Sequence, residues 1–204
     1  MGDALKGGTA SRRTLLSGVI AAAGLVAGQF VGLRSSRAGR ITIRPPGALP
    51  ENEFLKRCTR CYQCGDICPN GAITFLPPKE GLAEAFTPVI EPRTQGCTAC
   101  MKCTQVCPTG ALQPVDPNPE TVPGTVKMGM ARLNKEMCYS WEEPARTCGV
   151  CYRACPFPGK AMTISLFERP TVNHELCIGC GLCEQSCIHL PQAIRILPVD
   201  RSPA

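Results

Sequence analysis

Residues 58–69 read CTRCYQCGDICP, in which four cysteines are separated by two, two and three residues and followed by a proline. The same spacing returns in residues 97–108, CTACMKCTQVCP, again with the proline. Residues 177–188, CIGCGLCEQSCI, keep the spacing but carry Ile188 in the proline position. Repetition of so specific a pattern predicts one structural unit used several times. We number these cysteine groups along the chain as groups 1, 2 and 4.

Group 3 lies between groups 2 and 4 and is irregular. Its regular part matches the last three cysteines of the pattern and the proline after them, at Cys148, Cys151, Cys155 and Pro156. Ala145 occupies the position of the first cysteine. Cys138, seven residues earlier, is the candidate replacement and has to reach across an inserted loop, residues 139–147.

The spacing determines which thiols can point at the same object. Two intervening residues let the chain curl so that three successive thiolates face one small object, and Gly179 and Gly181 allow the close backbone approach of that curl in group 4. A helical turn then carries the fourth sulfur away from the first three, so that it can serve a neighbouring set of thiols. The following proline ends the turn because it has no N–H to donate.

The flanks of the groups repeat as well. After the fourth cysteine of each group we predict a short strand, in residues 71–75, 110–112, 159–164 and 192–196. Partner strands are predicted before groups 2 and 4, in residues 87–90 and 170–173. The fold class is therefore α+β, with two tandem modules, residues 58–113 and 124–204, joined by a Pro-rich linker, residues 114–123. Residues 39–57 form a lead-in for which no structure is predicted.

The composition limits the class of protein. Sixteen cysteines among 204 residues indicate a disulfide scaffold or a metal-cluster protein. Twenty prolines, 20 glycines and 5% aromatic residues leave little material for long helices or a large aromatic core, so a catalytic α/β domain is not expected. The two histidines and the lack of C-x-x-C-H argue against c-type haem, and neither glycine-rich phosphate-binding motif occurs.

Iron–sulfur clusters fit the cysteines better than the two alternatives. Disulfide frameworks rarely repeat this spacing, and thiols two residues apart in a tight loop make poor partners for each other. Zinc modules usually separate two C-x2-C pairs widely. The formal charge of +6 gives no strong indication of nucleic-acid binding, because the first 38 residues carry +4 of it and residues 39–204 only +2.

The N-terminus contains a twin arginine, Arg12 and Arg13, directly before an uncharged stretch over residues 14–33. This pattern is typical of a Tat signal, which exports folded proteins and so allows clusters to be inserted in the reducing cytosol. Small residues at Ser36 and Ala38 predict cleavage after Ala38 and a periplasmic location. The alternative is a retained membrane anchor, since 20 uncharged residues are about enough to span a bilayer.

On these cysteine groups the chain resembles the bacterial 2[4Fe-4S] ferredoxins twice over. With the twin-arginine leader it is similar to the MauM/NapG family of ferredoxin-type proteins, over roughly residues 11–197. The resemblance implies four [4Fe-4S] clusters in which each group gives three ligands to one cluster and one to its neighbour. The implied ligand sets are Cys58, Cys61, Cys64 with Cys107; Cys97, Cys100, Cys103 with Cys68; Cys138, Cys148, Cys151 with Cys187; and Cys177, Cys180, Cys183 with Cys155. The alternative is a nested pairing of group 1 with group 4 and group 2 with group 3.

The resemblance also implies a function. It is that of an electron carrier, or an electron-transfer subunit of an oxidoreductase complex, with no substrate site of its own. Electrons would come from a membrane quinol-oxidising iron–sulfur partner and leave toward a periplasmic cytochrome or reductase, in a nitrate reductase or methylamine-type system. The protein would be peripheral to the membrane or anchored in it. The alternative is a factor that assists maturation of an exported redox enzyme, and the sequence does not separate the two.

Residues around group 3 complete the predictions. Three aromatic side chains are expected to pack around the third cluster: Tyr139, Trp141 and Tyr152. His174 and His189 are expected at the surface or just outside the ligands. Three cations are interpreted as a solvated strand face, with partner docking as the alternative: Lys127, Arg132 and Lys135.

Overall fold

The computed structural model describes residues 42–142 and 146–199. The predicted leader with its cleavage position after Ala38, and Ala145 in group 3, lie outside these residues. Within them, no helix combines the length and the apolar character needed to cross a bilayer.

The described chain is built from short elements, and the predicted mixture of helix and strand is confirmed. The strands are β1 (Ile73–Phe75), β2 (Pro88–Ile90), β3 (Gly129–Leu133), β4 (Met162–Ile164), β5 (Pro170–Val172) and β6 (Ile194–Pro198). The α-helices are α1 (Glu51–Arg57), α2 (Gln63–Asp66), α3 (Lys102–Gln105), α4 (Val122–Thr125), α5 (Val150–Ala154) and α6 (Leu182–Gln185). Three 3₁₀ turns lie at Pro78–Glu80, Lys135–Met137 and Leu166–Glu168.

The strands pair as three antiparallel ladders. β1 pairs with β2 and β4 with β5, so the predicted partner strands before groups 2 and 4 lie where expected. β3 pairs with β6 over five residues, with Ala131 opposite Ile196. β3 lies in the stretch whose cations Lys127, Arg132 and Lys135 are interpreted above as a strand face, but its pairing with β6 is not predicted from the sequence.

One predicted strand is wrong. Residues 110–112 form only an isolated bridge, between Leu112 and Ala48. The same place in the second half holds the full β3–β6 ladder, so the bridge is a reduced form of that outer ladder. Its partner comes from the lead-in, whose backbone also bonds to the first half: Gln113 N donates to Gly47 O at 2.7 Å and Ile90 N donates to Ile43 O at 2.8 Å.

The lead-in is fixed by a buried cation. Arg44 is 0% exposed and donates to Thr87 Oγ1 at 2.8 Å and to the Pro88 carbonyl at 3.0 Å. It also forms an ion pair with Glu51 at the start of α1 and lies over the Phe54 ring, 4.8 Å from its centre. A buried charge is tolerated only when it is paired and hydrogen-bonded, which Arg44 is.

The Pro-rich segment is not simply an exposed linker. It ends in α4, where Val122 and Pro123 are buried. Val122 is 1% exposed and belongs to one hydrophobic core that contains residues of both halves. The end of this segment therefore contributes to the core.

The two halves meet at groups 2 and 4. Cys97 N donates to the Cys180 carbonyl at 2.7 Å, and Gly96 N donates to Gln185 Oε1 at 2.9 Å. A Cβ placed on Gly96 would lie 2.7 Å from Leu182 N, so the absence of a side chain permits this approach.

We expect Gly96→Ala to lower the thermal midpoint of unfolding, because the new methyl group overlaps the backbone of the other half. Overpacking of this kind costs about 1–3 kcal/mol, which corresponds to a shift of several degrees in a domain of this size. Circular dichroism melting under anaerobic conditions measures it. Gly124→Ala is the matched control, since nothing lies within 4 Å of a Cβ there. Equal midpoints for the two variants contradict the prediction.

Candidate iron–sulfur cluster sites

The cysteine loops share an unusual backbone conformation. In groups 1, 2 and 4, the residues on both sides of the second cysteine have positive φ: Arg60 and Tyr62, Ala99 and Met101, Gly179 and Gly181. In group 3, Gly149 after Cys148 has φ of 54°. Short helices α2, α3, α5 and α6 begin directly after these left-handed residues. The predicted curl is therefore present, and glycine is not required for it.

Four of these left-handed residues are not glycine, and each such conformation costs about 1–3 kcal/mol. The side chains offset part of it. Arg60 donates to the carbonyls of Ala83 and Ala85, both at 2.8 Å. The Tyr62 ring packs edge-on against Phe75 with centroids 4.4 Å apart, and Met101 is 1% exposed.

Three cavities of similar size are each lined by four cysteines. Site 1 has a volume of about 360 Å³ and is lined by Cys58, Cys61, Cys64 and Cys107. Site 3 has a volume of about 370 Å³ and is lined by Cys138, Cys148, Cys151 and Cys187. Site 4 has a volume of about 330 Å³ and is lined by Cys155, Cys177, Cys180 and Cys183.

The remaining four cysteines make up site 2: Cys68, Cys97, Cys100 and Cys103. Burial, followed by the charges of the neighbouring thiols, among them Cys97 and Cys100, raises the pKa of Cys103 to about 12. Burial raises the pKa of Cys97 to about 11, with Cys68 and Cys100 adding to it. In each site the fourth thiol thus comes from the adjacent group, and Cys138 lies beside Cys148 and Cys151.

Several of the more buried thiols have raised pKa values and so favour the neutral state when no metal is bound. Burial is the main cause, and it raises the pKa of Cys64 and of Cys180 to about 12 and that of Cys151 to about 11. A buried thiolate therefore needs a positive charge next to it, which bound iron supplies while it displaces the protons.

Backbone N–H groups point at several sulfurs. Ala72 N donates to Cys68 Sγ, Ala99 N to Cys97 Sγ and Leu112 N to Cys107 Sγ, each at 3.4 Å. For Cys107, burial raises the pKa, but the hydrogen bonds from Leu112 and Thr109 outweigh it and leave the pKa below its usual value. Such donors stabilise a thiolate and tune the potential of a bound cluster.

The donor sets suit a multi-iron group. In residues 42–142 and 146–199, no three Cys, His, Asp or Glu side chains converge as they would around a single ion. All sixteen cysteines lie within these residues, and none is joined to another in a disulfide. Four sulfur donors lining one cavity are the ligand set of a [4Fe-4S] cluster.

The sites follow one another in the order 1, 2, 4, 3. Cys64 in site 1 lies close enough to Cys103 in site 2 to contribute to the raised pKa of Cys103. Cys97 in site 2 likewise interacts with Cys180 in site 4. Cys151 in site 3 interacts with Cys183 in site 4. Sites 1 and 3 are the ends of this series, and Cys61 in site 1 is exposed, whereas Cys177, Cys180 and Cys183 in site 4 are buried.

The aromatic predictions for group 3 hold only in part. Tyr139 and His189 line site 3. Trp141 instead lies between two cations, 4.1 Å from Lys135 Nζ and 5.1 Å from the Arg169 guanidinium carbon, measured to the ring centre. Tyr152 packs at the edge of the core. Phe54 and Phe75 line site 1 and were missed, because no spacing links them to the cysteines.

Comparison with known proteins agrees with this geometry. Residues 57–111 match the 4Fe-4S dicluster domain, and residues 142–158 and 170–189 each match a 4Fe-4S binding domain. Fold and sites therefore define a ferredoxin-type protein that binds [4Fe-4S] clusters.

Relatives that align over most of the chain identify the family within this class. The ferredoxin-type protein NapG of Escherichia coli (strain K12) is 36% identical over 204 aligned residues, which cover 93% of this chain and 86% of NapG. The methylamine utilization ferredoxin-type protein MauM of Methylorubrum extorquens is 35% identical, covering 92% of this chain and 89% of MauM. MauM of Paracoccus denitrificans is 36% identical over 78% of this chain and 72% of its own. The chain belongs to the MauM/NapG family of ferredoxin-type proteins.

We expect Cys138→Ser to remove one cluster, because Cys138 lines site 3 in place of the first cysteine that group 3 lacks. Iron content should fall by about four atoms per chain from about sixteen, measured by anaerobic iron and sulfide analysis. Met137→Ser changes the adjacent residue and keeps all sixteen thiols, so it should retain the full content. Unchanged iron in Cys138→Ser contradicts the assignment of Cys138.

Removal of iron should unfold most of the chain. Halves of this size seldom obtain more than about 3–5 kcal/mol from an apolar core alone, and metal binding supplies the remainder. Far-UV circular dichroism before and after an anaerobic chelator measures the change, with iron-saturated chelator as the control. A spectrum that survives complete loss of iron shows that the fold does not depend on metal.

Proposed function

We propose that this protein holds four [4Fe-4S] clusters and relays electrons in the periplasm from a membrane quinol-oxidising iron–sulfur partner toward a cytochrome or reductase. The system served is of the nitrate reductase or methylamine type, the two that the family resemblance implies; the names of the MauM relatives point to methylamine utilization. The observation that carries the proposal is the unbroken series of sites 1, 2, 4 and 3, in which each set of thiols lies next to the following one.

The chain's own residues hold and insulate the clusters. A bound [4Fe-4S] cluster exchanges one electron over a delocalised core, with little rearrangement of its ligands. The sixteen thiolates fix the positions of the clusters, and the Cys97–Cys180 backbone bond ties the two halves together. Apolar side chains such as Phe75 and Leu112 at site 1 limit water around the sulfurs.

Both ends of the series are more exposed than its middle, as electron exchange with partners requires. Site 1 has the exposed Cys61 and, beside it, Tyr62, which is 40% exposed. Site 3 is bordered by Ile188, which is 59% exposed and stands where groups 1 and 2 have proline. The middle sites are deeper, which favours electron exchange with partners at the ends.

Location and partners are inferred from the leader and the resemblance. A twin-arginine signal carries the folded, cluster-loaded protein across the inner membrane, and the protein then acts at the membrane surface, peripheral or anchored. The proposal includes no substrate conversion by this chain and no nucleic acid.

In a strain that lacks this gene, we expect turnover of the partner enzyme with its physiological electron supply to be lost. The purified enzyme should keep its full cofactor content and its activity with an artificial donor, because only the supply of electrons is interrupted. Complementation with Cys180→Ser, which breaks the middle of the series, should fail, whereas Gly124→Ala should restore turnover. Accumulation of immature, cofactor-deficient enzyme instead identifies a maturation factor and overturns the relay.

A further inference from the structure

The β3–β6 ladder has one face in the core and one in solvent. Ala131 and Ile196 face inward and are 0% and 7% exposed. Arg132 and Arg195 point outward and stand directly opposite each other in the register. We call the outward residues of this ladder, together with Lys135 just after β3, the basic sheet face: Met130, Arg132, Lys135, Arg195 and Leu197.

The opposed arginines work against the stability of the sheet, since like charges directly across a ladder repel. Among the described residues, no carboxylate forms an ion pair with either guanidinium. Lys127, predicted to share this patch, is engaged elsewhere and donates to the carbonyls of His174, Glu175 and Cys177. Arg195, which the sequence did not single out, takes its place.

An open groove runs along this face and is lined by three cations, Arg132, Lys135 and Arg195, and by one carboxylate, Glu136. Lys135 is positioned by Trp141, 4.1 Å from its ring centre. Gln192 lines the groove as well; it is 7% exposed, and its Oε1 has no hydrogen-bond partner among the described residues. A buried amide oxygen without a partner is uncommon, and a donor brought by a ligand satisfies it.

The groove adjoins one end of the cluster series. Leu133 and Ala193 line both the groove and the site 3 cavity. Leu197, 43% exposed, adds apolar area beside the cations. Exposed apolar side chains among cations suit a protein surface better than a free anion, because protein interfaces combine an apolar centre with a charged rim.

We propose that the basic sheet face docks a redox-partner protein with an acidic surface and places its redox centre against site 3. The inference rests on the proposed relay function and names the chemistry of the partner at one end of the series. One electron passes from the reduced protein to the partner, so this protein is oxidised by one electron and the partner is reduced by one.

An acidic c-type cytochrome serves as the probe and a basic one as its counterpart, each tested against the full-length, cluster-loaded protein. Biolayer interferometry at low and high salt measures the dissociation constants. The acidic cytochrome should bind more tightly, and salt should weaken its binding. Arg132→Gln with Arg195→Gln should weaken it about tenfold and leave the thermal midpoint equal or higher, because a repulsion is removed.

Lys79→Gln with Arg93→Gln is the matched control, since it removes the same charge from exposed positions outside the face. Equal weakening in both double variants means that only net charge matters and overturns the proposal. Binding to phosphatidylglycerol vesicles is measured as well. If Arg132→Gln with Arg195→Gln still binds the acidic cytochrome but no longer binds these vesicles, the face contacts lipid and the proposal is overturned. A separate measurement tests the relay function itself. If the reduced wild-type protein transfers no electrons to either cytochrome or to a small cobalt(III) complex, the relay function is wrong, even where the acidic cytochrome binds.

Discussion

The requirement to hold buried thiolates is the constraint on which this structure depends. Burial alone makes the thiols poor anions, and it raises the pKa of Cys64, Cys103 and Cys180 to about 12. Bound iron supplies the positive charge that would reverse this preference, so we expect metal binding and folding to be coupled. The brevity of the helices and strands follows, because cross-links through metal replace the apolar area that longer elements would have to bury. The left-handed residues in the loops follow too, since strain is tolerated where the surroundings fix the chain.

The cysteine spacing predicted much of the candidate site because it is a local property. Three thiols separated by two residues each can face one object only if the chain curls, and the structure has that curl. The residues that adopt it were less predictable: Arg60, Tyr62, Ala99 and Met101 have positive φ without being glycine. Their stabilising contacts, such as Arg60 with the carbonyls of Ala83 and Ala85, are about 25 residues away in the chain. Propensity cannot show such contacts.

The long-range features were missed for a related reason. β3 follows a Pro-rich segment and lies about 60 residues from β6, and nothing local marks it as the counterpart of the Ala48–Leu112 bridge in the first half. Arg44 belongs to the lead-in, for which the sequence predicts no structure, yet it is buried against Thr87 and Glu51. The contact between groups 2 and 4 depends on Gly96, whose role is visible only when the two halves are seen together.

The irregularity of group 3 connects these features. Cys138 follows β3 and the turn Lys135–Met137, so the sheet sets its position rather than the cysteine loop. Arg132 and Lys135, on the same stretch, project from the outer face. Because the first cysteine of group 3 is replaced by Cys138, a site 3 thiol and the cations of the basic sheet face lie on one stretch of chain, β3 and the turn after it. If a partner docks on Arg132 and Arg195 as proposed, it lies close to site 3, because Leu133 at the end of β3 and Cys138 just after the turn both line that site. In the first half the corresponding ladder is a single bridge, and the loop supplies Cys58 in the regular position, so among the described residues no such ladder connects an outer face to a site 1 thiol.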